Sequence, residues 1–401
     1  MDSETVHQAH AICDRCLGRR IMGARGEEQI RVGAERRAAD GAPEVNPADC
    51  PVCENAFADF ETWVDLAEEA LGAFEFQTFQ VGTLFPKACE QLEKSIVLNP
   101  EIGDTIRTEA NRLLGPAIAH RMGKDWSIDG RPDAVVQVDT RFWSAEVRTN
   151  SIFMEGRYTK FRRDIPQTHW PCKTCQGTGC YQCEDSGVQY AESVEETIGN
   201  AALPLFGGEK YSFHGAGRED IDALMLGTGR PFVLEIHVPR RQTIDFAALE
   251  AAINAETETT GVGVNSLRMT EKPRVAEIKD GGYDKEYLAH CVTEAPITKD
   301  VVLAACESMH GQVLQQRTPE RVAHRRADLV RPRTVHHILL EEFTDEHHFS
   351  VRVLAESGTY IKEMINGDDG RTEPSFAERC GLPMKVEYLD VVAILDDAES
   401  S

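Results

Sequence analysis

Long hydrophobic runs are missing from this chain of 401 residues, since none of its apolar stretches reaches the roughly 18 residues that a membrane-spanning helix needs. The first five residues also lack the basic start and the apolar stretch of a secretory signal. These absences predict a cytoplasmic protein that does not use a membrane as a partner.

Lysine is also scarce: the 43 basic residues comprise 12 Lys and 31 Arg, whereas 67 residues are acidic and the net charge is -24. An acidic surface stays hydrated and repels other anions. Together with the shortage of lysine, it indicates a halophilic protein in a salt-rich cytoplasm. Strong salt screens the repulsion of nucleic acid to within a few ångströms, so local basic clusters decide what binds.

Cysteine, in contrast, is concentrated in two groups of four. The members are Cys13, Cys16, Cys50 and Cys53 in the first group and Cys172, Cys175, Cys180 and Cys183 in the second. Thiolates at these spacings are typical ligands of tetrahedral zinc, and four of them leave no open position on the metal. Disulfides, or a redox dithiol in the second group, are the alternatives, and a cytoplasmic location disfavours disulfides. We therefore expect one or two structural zinc ions.

Hydrophobic periodicity predicts an α+β protein of several segments. The expected boundaries are 1–58, 59–170, 171–187 and 188–397. Apolar residues keep helical spacing from Phe60 and again over about 102–122, and strands are predicted at 134–139 and 151–154. From residue 188 strands alternate with a few helices. The second segment should be a compact α+β domain and the fourth a mixed sheet with helices on one face.

A Gly-Arg-Glu-Asp turn at residues 217–220 offers a candidate catalytic carboxylate. It places Asp220 on a loop, with Arg218 beside it, before a segment that alternates like a strand. An active-site loop on a sheet has this pattern. A plain glycine-rich turn capped by Asp is an equally good interpretation of these residues alone.

Two further segments accompany this turn. Tyr287 lies near the start of a predicted strand, where a core or surface role is the commoner one for tyrosine. Residues 356–363 form a glycine turn that becomes helical, which would hold Ile361 and Lys362 beside the sheet. Lys362 could then pair with an aspartate.

In chain order, the motifs Gly217-Arg-Glu-Asp220, Lys285-x-Tyr287 and Gly358-Thr-Tyr-Ile-Lys362 resemble the three catalytic motifs of the pseudouridine synthases. Other strings, among them Gly156-Arg-Tyr, Ile165-Pro-Gln and His324-Arg-Arg-Ala-Asp328, extend the resemblance nearly from end to end. The chain is similar to the archaeal enzymes that form pseudouridine at positions 54 and 55 of tRNA and carry an N-terminal zinc-bearing THUMP domain.

The resemblance implies a role for each motif. Asp220 corresponds to the essential aspartate, with Asp222 as the second choice, and Tyr287 to the tyrosine that stacks on the uracil. Tyr360, Ile361 and Lys362, together with Arg218, would complete the substrate site. Glu286 and Leu288 differ from the more basic form of the second motif, which weakens the assignment of Tyr287. The isomerisation needs no organic cofactor, and no obligate protein partner is implied.

Two basic clusters are candidates for binding the tRNA backbone, because folded RNA is recognised largely through its shape and its phosphates. The predicted RNA-binding residues are Arg157, Lys160, Arg162, Arg163, Arg317, Arg321, Arg325 and Arg326. The alternative is that they belong to solvated faces whose charge is balanced by acids elsewhere in the chain.

Three other functions fit the sequence less well. A THUMP-bearing methyltransferase would need a Gly-x-Gly-x-x-Gly turn that opens a helix, and the glycines at 215, 217, 227 and 229 do not form one. A chaperone adaptor of the DnaJ type would carry a His-Pro-Asp motif and more cysteine repeats. The main alternative is a zinc-stabilised RNA-binding protein without catalytic activity.

Overall fold

The computed structural model describes residues 3–323 and 326–395, with side chains from residue 7 onward. The chain divides into two compact units, Met1–Ser151 with Val238–Gln242 and Ile152–His237 with Thr243–Ser401. In the described ranges, every helix is too short or too polar to cross a membrane.

The first unit packs helices against a small sheet. Its helices are α1 (Ser3–His10), α2 (Asp14–Met22), α3 (Glu27–Ala39), α4 (Phe60–Leu71), α5 (Lys87–Ser95) and α6 (Ile106–Met122). Its strands are β1 (Thr78–Leu84), β2 (Asp125–Trp126), β3 (Ala134–Asp139) and β4 (Ser144–Thr149). The strand order is β2-β1-β3-β4, with β1 parallel to both of its neighbours and β4 antiparallel to β3.

Local sequence signals account for the two long helices under this sheet. Helix α4 buries the apolar residues at helical spacing, from Trp63 to Leu71. Helix α6 begins after Thr105, whose hydroxyl accepts a hydrogen bond from the backbone N–H of Thr108. It ends at Gly123, which adopts the left-handed conformation favoured by glycine. The helical pattern of the sequence therefore marks these elements correctly.

The second unit is dominated by a large mixed sheet. Its strands are β5 (Ile152–Lys160), β6 (Lys210–Gly215), β7 (Met225–His237), β8 (Val262–Thr270), β9 (Asp284–Thr293), β10 (Val313–Arg317), β11 (Val330–Phe343), β12 (His348–Ala355), β13 (Thr372–Glu373) and β14 (Met384–Leu395). Its helices are α7 (Val194–Phe206), α8 (Phe246–Ala255), α9 (Thr257–Thr260), α10 (Pro273–Asp280), α11 (Lys299–Met309), α12 (Ile361–Asn366) and α13 (Phe376–Cys380). The strand order is β13-β10-β11-β12-β9-β14-β7-β5-β8, and β6 pairs with β7.

The register of this sheet brings distant segments together. Across neighbouring strands, Val353 of β12, Tyr287 of β9, Val391 of β14 and Met225 of β7 lie in one row. Since Met225 is the first residue of β7, the loop between β6 and β7 approaches the row from one side. Helix α12 begins six residues after the end of β12. The sheet thus gathers all three motif segments at one place.

The division between the units falls earlier than the boundary at residue 170 expected from the sequence. Strand β5 pairs with β7 on one side and with β8 on the other, so it is an inner strand of the large sheet. Residues 152–160 therefore belong to the second unit. Periodicity identified a strand near residue 151 but could not indicate its partners, which lie more than 60 residues further along the chain.

Candidate active site and metal centres

The loop between β6 and β7, residues 216–224 and here called the acidic loop, carries the candidate carboxylates. Asp220 and Asp222 expose 53% and 52% of their side chains. The Lys362 ammonium lies 3.6 Å from an oxygen of Asp220 and 3.7 Å from an oxygen of Asp222. Lys362 is the second residue of α12. Both carboxylates are accessible to a substrate and share one cation.

A cavity of about 750 Å³, the main cavity, opens beside the acidic loop. Its lining includes all six residues that the sequence predicted for catalysis and substrate binding, namely Arg218, Asp220, Tyr287, Tyr360, Ile361 and Lys362. The cavity volume lies within the roughly 300–1,000 Å³ typical of small-molecule sites. The structure thus joins three segments that are far apart in the sequence, from Arg218 to Lys362.

Two groups of β9 that line the main cavity have shifted pKa values. Burial raises the pKa of Tyr287 to about 12, so its phenol keeps its proton at neutral pH. Burial, aided by the positive charge of Arg230, lowers the pKa of Lys285 to about 8. The Lys285 ammonium donates to the carbonyl of Tyr283 at 2.9 Å. The sequence comparison identified Lys285 as part of a motif but did not indicate its burial.

A buried ion pair beneath the acidic loop was not predicted. Glu219 accepts a hydrogen bond from Arg230 Nε at 2.8 Å, and their side chains are 1% and 2% exposed. The hydroxyl of Tyr158 lies 2.9 and 3.0 Å from the two carboxylate oxygens, and Gln167 donates to that hydroxyl at 2.8 Å. The motif strings of the sequence analysis contain Tyr158 and Gln167, but nothing in them indicates that these side chains meet Glu219 and Arg230.

Buried side chains also hold the backbone of the acidic loop. Arg230 donates to the carbonyl of Ala216 at 2.8 Å and Gln167 to that of Gly217 at 2.9 Å. Lys160 donates to the carbonyl of Ile221 at 2.8 Å. Charge-assisted hydrogen bonds in a buried environment are strong, so they fix the main chain on both sides of the candidate aspartate.

Lys160 corrects one expectation of the sequence analysis, which placed it on the RNA-binding surface. Its side chain is fully buried, and its ammonium donates to the carbonyls of Ile165, Asp220 and Ile221. Burial lowers the pKa of this lysine. A phosphate cannot reach it without unfolding the loop. Lys160 therefore supports the acidic loop from inside.

Most of the other predicted RNA-binding residues are engaged with acids or carbonyls. The closest contacts are Arg157 with the carbonyl of Gly229 at 2.9 Å, Arg162 with Asp164 at 2.7 Å, Arg163 with Asp390 at 2.6 Å, Arg317 with Asp328 at 2.5 Å and Arg321 with Glu363 at 2.6 Å. Arg326 donates to the hydroxyl of Tyr360 at 3.1 Å. Arg321 and Arg326 line the main cavity, whereas Arg325 falls outside the described residues.

The first cysteine group forms a buried tetrad. The sulfur atoms of Cys13, Cys16, Cys50 and Cys53 lie within 4.8 Å of one another. Cys13 and Cys53 are 3.6 Å apart at sulfur, far beyond a disulfide bond of about 2.05 Å and close to the roughly 3.8 Å edge of a tetrahedron with Zn–S bonds of about 2.3 Å. Arg19 donates to the sulfur of Cys16 at 3.3 Å. A cation at this position suits the excess negative charge of a metal bound by four thiolates.

The second group forms a more exposed tetrad. The sulfur atoms of Cys172, Cys175, Cys180 and Cys183 also lie within 4.8 Å of one another, and only the first of these residues is buried. The backbone N–H groups of Cys180 and Gly187 point at the sulfur of Cys183, at 3.2 and 3.3 Å. Hydrogen bonds of this kind orient thiolate ligands. Both donor sets therefore fit a tetrahedral metal ion, as expected from the sequence.

Comparison with known proteins gives two family matches. The family described as "Pus10, C-terminal" matches residues 153–395, and "Pus10 THUMP domain, archaeal" matches residues 63–139. A solved structure of a Cbf5-Nop10-Gar1 complex has 16% sequence identity and a TM-score of 0.32 over 50% of this chain and 45% of that one. This structural likeness is too weak to add to the assignment.

Two relatives are much closer in sequence. A tRNA pseudouridine synthase Pus10 of Halorubrum lacusprofundi is 39% identical, and the alignment covers 97% of this chain and 94% of the relative. A protein of the same name from Archaeoglobus fulgidus is 39% identical over 86% of this chain and 94% of its own. The class of protein is thus that of the pseudouridine synthases, which are isomerases. Within it, the chain belongs to the Pus10 family. The expected THUMP domain and mixed-sheet C-terminal domain are confirmed.

Proposed function

We propose that this protein converts uridine to pseudouridine at positions 54 and 55 in the T-loop of tRNA, with Asp220 as the essential carboxylate. The observation that carries the proposal is the position of Asp220. It lies at the edge of the main cavity, 3.6 Å from Lys362, and Tyr287 lines the same cavity. The names of the relatives supply the class of RNA, and the resemblance of the motifs supplies the T-loop positions.

The reaction rearranges one nucleotide without adding or losing atoms. The glycosidic bond from N1 of the base to C1′ of the sugar breaks, the base turns, and C5 forms the new bond to C1′. The proton released from C5 is balanced by one taken up at N1. Asp220 either attacks C1′ and is released when C5 bonds to that carbon, or takes the proton from C2′ to form a glycal and returns it when the new bond forms. Both routes use one ionised carboxylate beside the sugar.

Lys362 stabilises the negative charge of the acidic loop when the substrate excludes water. Closing the cavity over a carboxylate removes solvent that stabilises the charge. An ammonium within 4 Å offsets that loss, since Coulomb attraction strengthens as water leaves. The buried contacts from Arg230, Gln167 and Lys160 to the loop carbonyls hold the carboxylate in place while the base turns.

Tyr287 would contact the target base itself. A uridine in a folded RNA loop is stacked, so an enzyme that acts on its glycosidic bond must turn it out into a pocket. An aromatic ring in the wall of the main cavity gives the extruded base a face on which to stack. Arg218, Arg321 and Arg326, which line the same cavity, would contact the adjoining phosphates.

We also propose that both cysteine tetrads hold zinc, as structural ions. Zinc prefers four thiolates in a tetrahedron, and the sulfur–sulfur distances suit its bond lengths. Each ion would tie together the two cysteine pairs of its tetrad and the segment of chain between them. Every step of the reaction is assigned to side chains of the protein, and the ions take no part in it.

Matched variants of the two exposed aspartates test the proposal. Pseudouridine is mapped on an unmodified tRNA transcript after incubation with the wild type, Asp220→Asn or Asp222→Asn in molar potassium chloride. We expect signal in the T-loop with the wild type, a loss of at least about 10³-fold with Asp220→Asn, and a much smaller loss with Asp222→Asn. The reverse order would assign the reaction to Asp222. A wild type that binds the transcript without forming pseudouridine would support the RNA-binding alternative.

A further inference from the structure

A second cavity, here called the side cavity, lies against the acidic loop. Its volume is about 380 Å³, and it is lined by Trp170, Thr168 and Arg163, among others. It shares Gln167, Arg218, Glu219 and Asp220 with the main cavity. A chain of two nucleotides could therefore occupy both cavities while it crosses the acidic loop. The proposed chemistry uses only the main cavity.

The wall of the side cavity contains one half-buried aromatic ring in a fixed position. The Trp170 ring meets that of Tyr190 edge to face, with ring centres 5.8 Å apart. The Trp170 carbonyl accepts a hydrogen bond from Gln189 at 2.9 Å, and the next residue pairs with Val188. The second tetrad begins two residues further on, at Cys172. A metal ion in that tetrad would hold both chain segments that fix the indole.

Arg218 stands at the border between the two cavities. Within the described residues its guanidinium forms no hydrogen bond or ion pair, and the residue is exposed. In this it differs from the neighbouring Arg163, which is paired with Asp390. A cation without a protein partner among the described residues is a suitable contact for one phosphate.

The charge of the side cavity itself favours a neutral group. Asp220 and Asp222 both contribute to its lining and share Lys362, Arg163 is paired with Asp390, and the buried pair of Glu219 and Arg230 adds no net charge. Apart from Arg218 at the border, the described residues of the lining thus offer an anion no unpaired cation. A nucleobase is uncharged and can stack on the indole. The observations thus separate two functions, an aromatic wall for a base and Arg218 for the phosphate.

We propose that the side cavity binds the nucleotide that adjoins the target uridine, with its base stacked on Trp170 and the intervening phosphate on Arg218. This subsite rests on the proposed function, since it assumes that the target uridine enters the main cavity. It gives the second tetrad a role in substrate binding, because the tetrad positions the segment that presents Trp170. It also predicts that the enzyme grips two consecutive nucleotides when it extrudes the uridine.

Trp170→Ala and RNAs with one missing base test the subsite together. Wild type and variant are assayed on the unmodified transcript and on matched transcripts that carry an abasic nucleotide directly before or directly after the target uridine. Stacking of one base on an aromatic ring predicts that Trp170→Ala raises KM about tenfold. One of the two abasic transcripts should raise the KM of the wild type to the same extent and that of the variant no further. Trp170→Phe should retain most of the binding.

The pattern of losses decides between the subsite and a general defect. If Trp170→Ala weakens binding equally on intact and on both abasic transcripts, or has no effect, the proposal is overturned. Tyr181→Ala is the matched control, because Tyr181 lies in the same tetrad segment, is 96% exposed and is absent from the lining of both cavities. It should leave KM unchanged. Thermal unfolding and metal content of each variant exclude loss of fold as the cause.

A failure of the proposed function would give a different result. If the wild type binds the transcripts but forms no pseudouridine, the same cycle is measured as equilibrium affinity. A loss shared between Trp170→Ala and one abasic position would then still support the subsite. Arg218→Ala gives an independent reading, since loss of one phosphate contact should lower the slope of log affinity against log salt by about 1. An unchanged slope would remove Arg218 from the subsite.

Discussion

The two cysteine tetrads have the same ligands but occupy very different surroundings. Cys13, Cys16, Cys50 and Cys53 are all members of the hydrophobic core of the first unit. The described hydrophobic cores of the second unit contain none of the cysteines of the other tetrad. A metal ion in the first tetrad would therefore be part of a core, whereas a metal ion in the second would hold a surface segment beside the candidate active site.

The charged groups follow the same division. In the first unit, buried Arg19 is paired with Glu93 and Glu109 and also donates to the sulfur of Cys16. In the second unit, buried Arg230 is paired with Glu219 and holds the acidic loop. The buried ion pairs of the first unit lie beside its tetrad, and the buried ion pair of the second unit lies beside the candidate carboxylate. Similar networks thus support a candidate metal site in one unit and a candidate active site in the other.

The largest expected effect comes from removing one ligand of each tetrad. Cys16→Ser should prevent the first unit from folding, because a structural zinc ion contributes about 10–16 kcal/mol, as much as the whole stability of a typical domain. Cys180→Ser should leave the second unit folded and instead raise KM, through loss of the support for Trp170. Native mass spectrometry counts the ions, and circular dichroism follows the unfolding of each variant.

Lone buried cysteines supply the controls for this pair. Cys89→Ser in the first unit and Cys306→Ser in the second change a buried thiol that belongs to neither tetrad. Each should cost about 1 kcal/mol and leave the metal content unchanged. If Cys16→Ser and Cys180→Ser destabilised their units equally, the contrast between a core ion and a surface ion would be wrong.

A smaller effect is expected from neutralising one glutamate in each buried network. Glu109→Gln and Glu219→Gln both leave a buried arginine with less compensation, and each should lower the stability of its unit by about 3 kcal/mol. Only Glu219→Gln should also lower kcat, because Glu219 directly precedes Asp220 and fixes the loop. Denaturant unfolding and pseudouridine formation under folding conditions measure the two quantities. Equal loss of kcat in both variants would contradict the division of roles.

The local patterns of the sequence predicted the tetrads and the candidate site better than they predicted the buried side chains that hold the acidic loop. Thiolate spacing and three short motifs are local signals, and the structure brings the motif residues together around one cavity. Glu219 and Asp220 look alike in the sequence, yet one is buried and the other is half exposed. Only the pairing of β5 with β7 places Tyr158 and Arg230 beneath the loop, and such long-range register leaves no local pattern.

Lys160 shows that the sequence alone also does not reveal whether a charged side chain is exposed. Its neighbours Arg162 and Arg163 are partly exposed, so composition alone gives a basic surface cluster. The alternation of a strand instead turns the last residue of β5 inward, against the carbonyls of the acidic loop. The side chain that seemed available to RNA is thus part of the support of the site.

The smallest effect distinguishes a buried cation that has carboxylate partners from a partly buried cation that has none among the described residues. Arg19 has two carboxylates, whereas no carboxylate of the described residues lies within 4 Å of the Lys285 ammonium. Burial lowers the pKa of Lys285 from 10.5 to about 8. Between pH 8 and 10.5 the folded protein has therefore lost a proton that the unfolded chain keeps, so stability should rise with pH across this window.

Lys285→Met removes the contribution of this ammonium to the pH dependence of stability. The difference in stability between wild type and variant therefore isolates that contribution from those of all other titrating groups. Below pH 8 both states of the wild type carry the charge, and the variant should be the more stable one because it buries no ammonium. As the pH rises from 8 to 10.5, the wild type should recover about 1–2 kcal/mol relative to the variant, after allowance for partial solvent screening. Lys385→Met, at a lysine that is 83% exposed, should show no such recovery. A constant difference between wild type and Lys285→Met would mean that the ammonium stays solvated, and the contrast with Arg19 would then be one of exposure.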